Sequence, residues 1–124
     1  MRFMMLMIPD VYKKGAAADF TPDPAAIATM RKFNEDLQKA GVLLSLDGLT
    51  PPSAGARVSF TGGKALVTDG PFAETKDVIG GYWIIEAASR DAAVAWAVRC
   101  PAAAGDIIEV RRIFGPEDFG PHSA

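Results

Sequence analysis

Apolar positions change rhythm several times along the chain, and each change predicts an element. Residues 2–9 hold one nearly continuous apolar run, Phe3 to Ile8, as expected of a central strand covered on both faces. Residues 10–20 contain Gly15 and three alanines with little to pack, and predict a short loop. Over residues 22–40 the period becomes helical. Ala26, Ile27, Met30, Phe33, Leu37 and Ala40 recur at spacings of three and four, with Arg31, Lys32, Glu35, Asp36 and Lys39 between them. Thr21 or Asp23 is the expected N-cap, Pro22 or Pro24 the first helical residue, and Gly41 the stop.

Residues 42–46 then predict a second strand, closed by Asp47-Gly48 and Pro51-Pro52. Residues 57–60 and 64–68 flank Thr61-Gly62-Gly63, which has the length and composition of a tight hairpin. A strand over residues 82–87 follows, and Ser89 caps a second helix from Arg90 to about Cys100, ended by Pro101. Residues 107–114 alternate well enough for a last strand, and the tail beyond them has no core-forming pattern.

The order is β-α-β, a hairpin, then β-α-β. Two such halves interleaved in one sheet, with the helices on one face, describe a ferredoxin-like α+β fold. One sheet face is then left uncovered, although the strands are too apolar to face water. A second copy of the same sheet is the simplest cover, so a homodimer is expected. One domain spans residues 1–115, with a C-terminal tail at 116–124.

Composition narrows the function classes. A chain of 124 residues supports one core and needs neither disulfides nor a structural metal. The net charge of −2 provides no basic field for phosphate backbones, so no direct nucleic-acid partner is expected. A lone Cys100 and the absence of any Cys/His spacing suited to zinc point to a reducing, cytoplasmic setting without metal or other cofactor. The apolar start is shorter than a secretory core and runs straight into Pro9-Asp10, and no run approaches a membrane span, so no membrane association is expected.

The most informative stretch is Asp69-Gly70-Pro71-Phe72-Ala73-Glu74-Thr75-Lys76-Asp77, followed by Gly80-Gly81-Tyr82. It resembles the motif that names the DGPF group of the YciI-like family. The Met-rich first strand, the segments around Gly48-Leu49-Thr50-Pro51 and Cys100-Pro101-Ala102, and Ile108-Glu109-Val110-Arg111 are similar to the same group. The resemblance implies a ferredoxin-like protomer pairing into a dimeric α+β barrel, with a biochemical activity largely unassigned. It also implies a genomic context beside extracytoplasmic-function sigma factors. Asp47 stands where many members carry Glu, and Arg112 where many carry Pro. The His/Asp pair associated with the simpler YciI branch has no counterpart, since the single histidine is His122 in the tail.

Apart from family, Asp69 follows a strand and precedes a Gly-Pro turn. Its carboxylate either points into a cleft or accepts hydrogen bonds from its own loop. Asp69, Glu74 and Asp47 are the candidate acid/base residues, and Arg57, Phe72 and Lys76 the candidate substrate contacts. The alternatives are a buried Phe72, and a solvated loop whose Glu74–Lys76 pair contributes little. If the strands carrying Asp47 and Arg57 were neighbours, a cation would hold the nearby acids ionised; two close carboxylates without it would drive one pKa up.

Glu86 and Glu109 are expected to pair with arginines such as Arg111 or Arg112, Trp83 and Trp96 to be core, and Cys100 to be an unreactive, buried thiol. Gly62-Gly63-Lys64 lacks the spacing of a phosphate loop. Three functions stay open: a cofactor-independent enzyme using carboxylate acid/base chemistry on a small organic substrate, a non-catalytic small-ligand binder linked to a stress or sigma-factor pathway, or a motif that only pins a dimer together.

Overall fold

Strand β1 (Arg2–Ile8) stops at Pro9, which has no N–H for a sheet ladder. The computed structural model, which describes residues 1–13, 23–70 and 77–120, turns there into a single helical turn, α1 (Asp10–Lys13). This corrects the loop expected over these residues. The turn is stabilised from far away: Asp106 Oδ1 accepts the Asp10 N–H at 2.8 Å, while Oδ2 accepts the Ala103 N–H at 2.9 Å.

Helix α2 (Pro24–Lys39) begins where Asp23 accepts the Ala25 N–H at 3.3 Å, with Pro24 as its first residue. It ends at Gly41, whose φ of +73° permits a left-handed exit. The Val42 N–H reaches the Leu37 carbonyl at 3.2 Å and the Gly41 N–H the Gln38 carbonyl at 3.0 Å, so two carbonyls orphaned at the helix end are satisfied. Of the expected apolar stripe only the middle turns meet the core. Phe33 and Leu37 are buried and Met30 packs beside them, whereas Ala26, Ile27 and Ala40 are exposed.

Strand β2 (Leu43–Gly48) leads through a 3₁₀ turn at Pro52–Ala54 into β3 (Ala56–Thr61) and β4 (Lys64–Asp69). Gly62 and Gly63, at φ +58° and +78°, form the two-residue hairpin loop whose twist suits antiparallel strands. After β5 (Gly81–Glu86), the Ser89 hydroxyl accepts the Ala92 N–H at 3.1 Å and opens α3 (Arg90–Val98). β6 (Ile107–Arg112) and a 3₁₀ turn at Pro116–Phe119 complete the described chain.

The main sheet has the order β2-β5-β1-β6 with antiparallel neighbours throughout, the ferredoxin-like α+β arrangement; β3 and β4 form a separate two-stranded sheet. Register explains which side carries the core. Phe3 lies opposite Ile85 and Met5 opposite Trp83, and these four side chains meet Phe33, Leu37 and Ala93 from the two longer helices. Phe33 and Trp83 pack edge to face at 5.8 Å. Burying each such side chain contributes about 1.5–3 kcal/mol.

Trp96 lies at the margin of this core with the Arg99 guanidinium 4.3 Å above its ring. The alternate residues, Met4, Leu6 and Ile84, occupy the middle of the outer face, on which no helix or strand among the described residues packs.

Candidate functional site

Strand β2 carries one unpaired residue within its ladder with β5. Leu43 lies opposite Ile85 but Ser45 lies opposite Ile84, so an extra residue bulges at Leu44. Beyond the bulge Leu46 is paired with Trp83, while Asp47 is paired with Tyr82. The Tyr82 hydroxyl donates to Asp47 Oδ2 at 3.0 Å. A carboxylate at a strand end is thereby held by a phenol from the neighbouring strand.

Beside this pair lies a recess of about 200 Å³ lined by Met30, Asn34, Asp47, Gly48, Tyr82 and Trp83, among others. Its back wall depends on close backbone approach. A Cβ at Gly81 would meet the Asp47 carbonyl oxygen at 3.0 Å, and one at Gly80 would meet Pro9 Cγ at 2.6 Å. Gly80 also donates its N–H to the Met7 carbonyl at 2.8 Å and accepts the Leu49 N–H at 2.9 Å, joining the end of β1 to the exit of β2.

Asn34 supplies a second polar group. The Trp83 indole N–H donates to its Oδ1 at 2.7 Å. An indole can only donate, which assigns the amide oxygen to Trp83 and leaves the NH₂ end for the recess. Register puts Asp47 with Tyr82 on the outer sheet face and Asn34 with Leu46 and Trp83 on the helix side, so the acid stands at the rim of the recess and the amide and apolar floor within it, an arrangement that suits a small organic molecule with one polar end.

Among the described residues three more recesses lie around the sheet. One of about 450 Å³ shares Met7, Met30 and Asn34 with the first and extends toward Ile27 and Arg31. Asp106 at its margin is already engaged with the Asp10 and Ala103 N–H groups. A second, of about 230 Å³, is lined by Arg57, Asp77, Leu49, Thr50 and Ile79. The third, of about 480 Å³, lies between α3 and β6 beside Cys100. Burial, and then the Asp106 carboxylate, push the Cys100 thiol up to about 11, as befits an unreactive side chain.

The expected site residues are dispersed. β2 pairs with β5, and β3 only with β4, so Asp47 and Arg57 do not sit on neighbouring strands and the cation-beside-acids arrangement does not form by pairing. Asp69 ends β4 opposite Ala56, is exposed, and lines none of the four recesses. Its carboxylate makes no hydrogen bond or ion pair with another described residue. Phe72, Glu74 and Lys76 lie outside the described residues.

Glu86 bonds the Met1 amino group at 2.8 Å rather than an arginine, and Glu109 approaches Arg111 at 3.9 Å in the open. Asn34 and Tyr82 were not among the expected site residues. Asn34 had a readable signal, since it follows Phe33 inside the apolar stripe of α2, four residues after Met30. Among the described residues no group of His, Cys, Asp and Glu could hold a metal ion, and no helix is long and apolar enough to cross a membrane.

Comparison with known proteins agrees with this architecture. An uncharacterised protein of Rhizobium meliloti is 40% identical over 70 residues, covering 56% of this chain and 53% of the relative, so the match spans about half of each. The model of the YCII-related domain matches residues 1–117. The chain therefore belongs to the YCII-related (YciI-like) family.

Proposed function

We propose that this protein binds a small organic molecule at the Asp47 end of its sheet and moves a proton on it with the carboxylate, without a cofactor. The observation that supports the reading is the 3.0 Å hydrogen bond from the Tyr82 hydroxyl to Asp47 Oδ2 at the edge of an apolar-floored recess. A base must be oriented as well as present. Tyr82 fixes one carboxylate oxygen, and the other makes no hydrogen bond among the described residues, so it can meet a ligand proton. The Asn34 NH₂ group can then steady an oxygen of the same ligand.

Within this reading the DGPF motif marks the branch of the family. Asp69 and Glu74 are the further acid/base candidates, and Arg57, Phe72 and Lys76 the further ligand contacts. The working form is a cytoplasmic homodimer. A second reading, ligand binding without turnover in a stress or sigma-factor pathway, is favoured by one observation: no strand pairing brings Asp69 beside Asp47.

A thermal-shift screen of small metabolites against the parent, Asp47→Asn and Tyr82→Phe tests the proposal. At least one compound should stabilise the parent, lose most of its effect on Asp47→Asn, and part of it on Tyr82→Phe. Solvent deuterium entering that compound only with the parent would mark proton transfer, and binding without exchange would favour the second reading. Equal stabilisation of all three proteins would remove Asp47 from the site.

A further inference from the structure

Ile27, Met30, Asn34 and Leu37 follow one another along α2 at spacings of three, four and three, so they share one stripe of the helix. Burial falls steadily from one end of this stripe to the other. Leu37 is fully buried, Asn34 and Met30 are half-buried, and Ile27 is 44% exposed. The exposed end is not a flat surface: it lines the recess of about 450 Å³ together with Met7 and Pro9 from the end of β1. Small-molecule sites enclose roughly 300–1,000 Å³.

The polar side chains available at this recess are donors. Arg31, one turn after Ile27, lines it and has no ion-pair or hydrogen-bond partner among the described residues. The Asn34 NH₂ group has no protein partner either. Since no buried polar side-chain atom among the described residues lacks a partner, that group is open to the recess. Asp106, the acid at the margin, already accepts the Asp10 and Ala103 N–H groups, one on each oxygen. Its charge weighs against a dianion. An apolar trough with two unpartnered donors therefore selects a monoanion with a hydrocarbon body, and a planar guanidinium matches a carboxylate in particular.

We propose that this recess binds an apolar monocarboxylic acid, with the carboxylate on Arg31, the hydrocarbon along Ile27, Met30 and Pro9, and the far end at Asn34. Met7, Met30 and Asn34 also line the Asp47 recess, so the far end of such a ligand approaches the rim where the acid stands. The inference names the ligand class of the proposed function, and rests on that reading only where the two recesses meet.

Isothermal titration calorimetry with octanoate, octanamide and acetate tests it. Octanoate should bind the parent at least tenfold more tightly than octanamide, which lacks the charge, and than acetate, which lacks the body. Arg31→Gln should weaken octanoate at least tenfold and Arg31→Lys less, because a lysine keeps the charge and loses the fork. Ile27→Trp should fill the recess and weaken octanoate comparably. Both positions are exposed, so the far-ultraviolet circular dichroism spectrum should not change; should Ile27→Trp lose its fold, Arg31→Gln decides. Failure of octanoate to bind the parent overturns the proposal, as does octanamide binding equally well, or an octanoate affinity indifferent to Arg31→Gln. The Asp47 reading fails separately. Octanoate binding that needs Arg31 and ignores Asp47→Asn keeps the acid-binding recess and removes the base, whereas an uncharged ligand that needs Asp47 and ignores Arg31→Gln overturns the recess and keeps the base.

Discussion

The Trp83 indole N–H donates to Asn34 Oδ1 at 2.7 Å, so one amide fastens helix α2 to the centre of the sheet and turns its other end toward the recess. Removing the amide leaves a half-buried donor without a partner, which costs about 1–3 kcal/mol. Asn34→Ala should therefore lower unfolding stability by that amount in urea titrations followed by tryptophan fluorescence. Asn34→Asp keeps an oxygen for Trp83 and should lose less, while any ligand that uses the NH₂ group binds it more weakly.

Gly80 has an ordinary backbone conformation, yet it has no room for a side chain. Because a Cβ would press on Pro9 at 2.6 Å and on the Tyr12 ring at 3.3 Å, Gly80→Ala must displace the turn after β1. Overpacking of this kind costs about 1–3 kcal/mol. Chemical denaturation should show that loss, and Gly48→Ala, with nothing within 4 Å, should show much less.

Arg112 and Asp118 form a two-point ion pair, both contacts at 2.7 Å, and the Gly115 N–H donates to the same carboxylate at 2.6 Å. The Arg112 hydrogen bond first, and then that of Gly115, hold Asp118 down at about 2 from an ordinary 3.8. A depressed carboxylate favours the folded arrangement wherever the unfolded group would be ionised too. The contribution is therefore complete above about pH 4 and fades as pH falls toward 2. Nuclear magnetic resonance signals of Phe119, whose ring lies 5.0 Å from that of Phe114, should shift over this window in the parent. Asp118→Asn should abolish the transition.

Cys100 should be slow to alkylate. With its thiol raised to about 11 from a reference of 9.0, the thiolate near pH 8 is roughly a hundredfold scarcer than in an unburied cysteine. Iodoacetamide labelling followed by mass spectrometry should be slower in the folded protein, by less than that factor on this ground because a more basic thiolate is also more nucleophilic, and should recover in denaturant.

Elements were legible where local chemistry decides them. The Asp23-Pro24 start and Gly41 end of α2, the Gly62-Gly63 loop and the Ser89 cap all act within a few residues, and each stands where the sequence predicts it. α1 was hidden because its N-terminal partner, Asp106, is 96 residues away. Placing Asp47 near Arg57 required knowing that the hairpin stays out of the main sheet, a matter of long-range pairing on which local periodicity is silent. Asp47 itself was readable as an acid at a strand end. Its partner Tyr82 was not, because their opposition depends on a bulge that leaves no mark in an apolar run such as Leu43-Leu44.

That bulge makes the length of β2 a chemical variable. Deleting Leu44 would only remove the extra residue and leave Ser45, Leu46 and Asp47 opposite Ile84, Trp83 and Tyr82, whereas deleting Leu46 with the bulge kept would bring Asp47 opposite Trp83, on the side where helix and sheet meet. The acid would then exchange water and phenol for hydrocarbon. Loss of the bulged residue should thus be tolerated, while single-residue changes between it and Asp47 convert a hydrophilic rim into a charge trapped in oil.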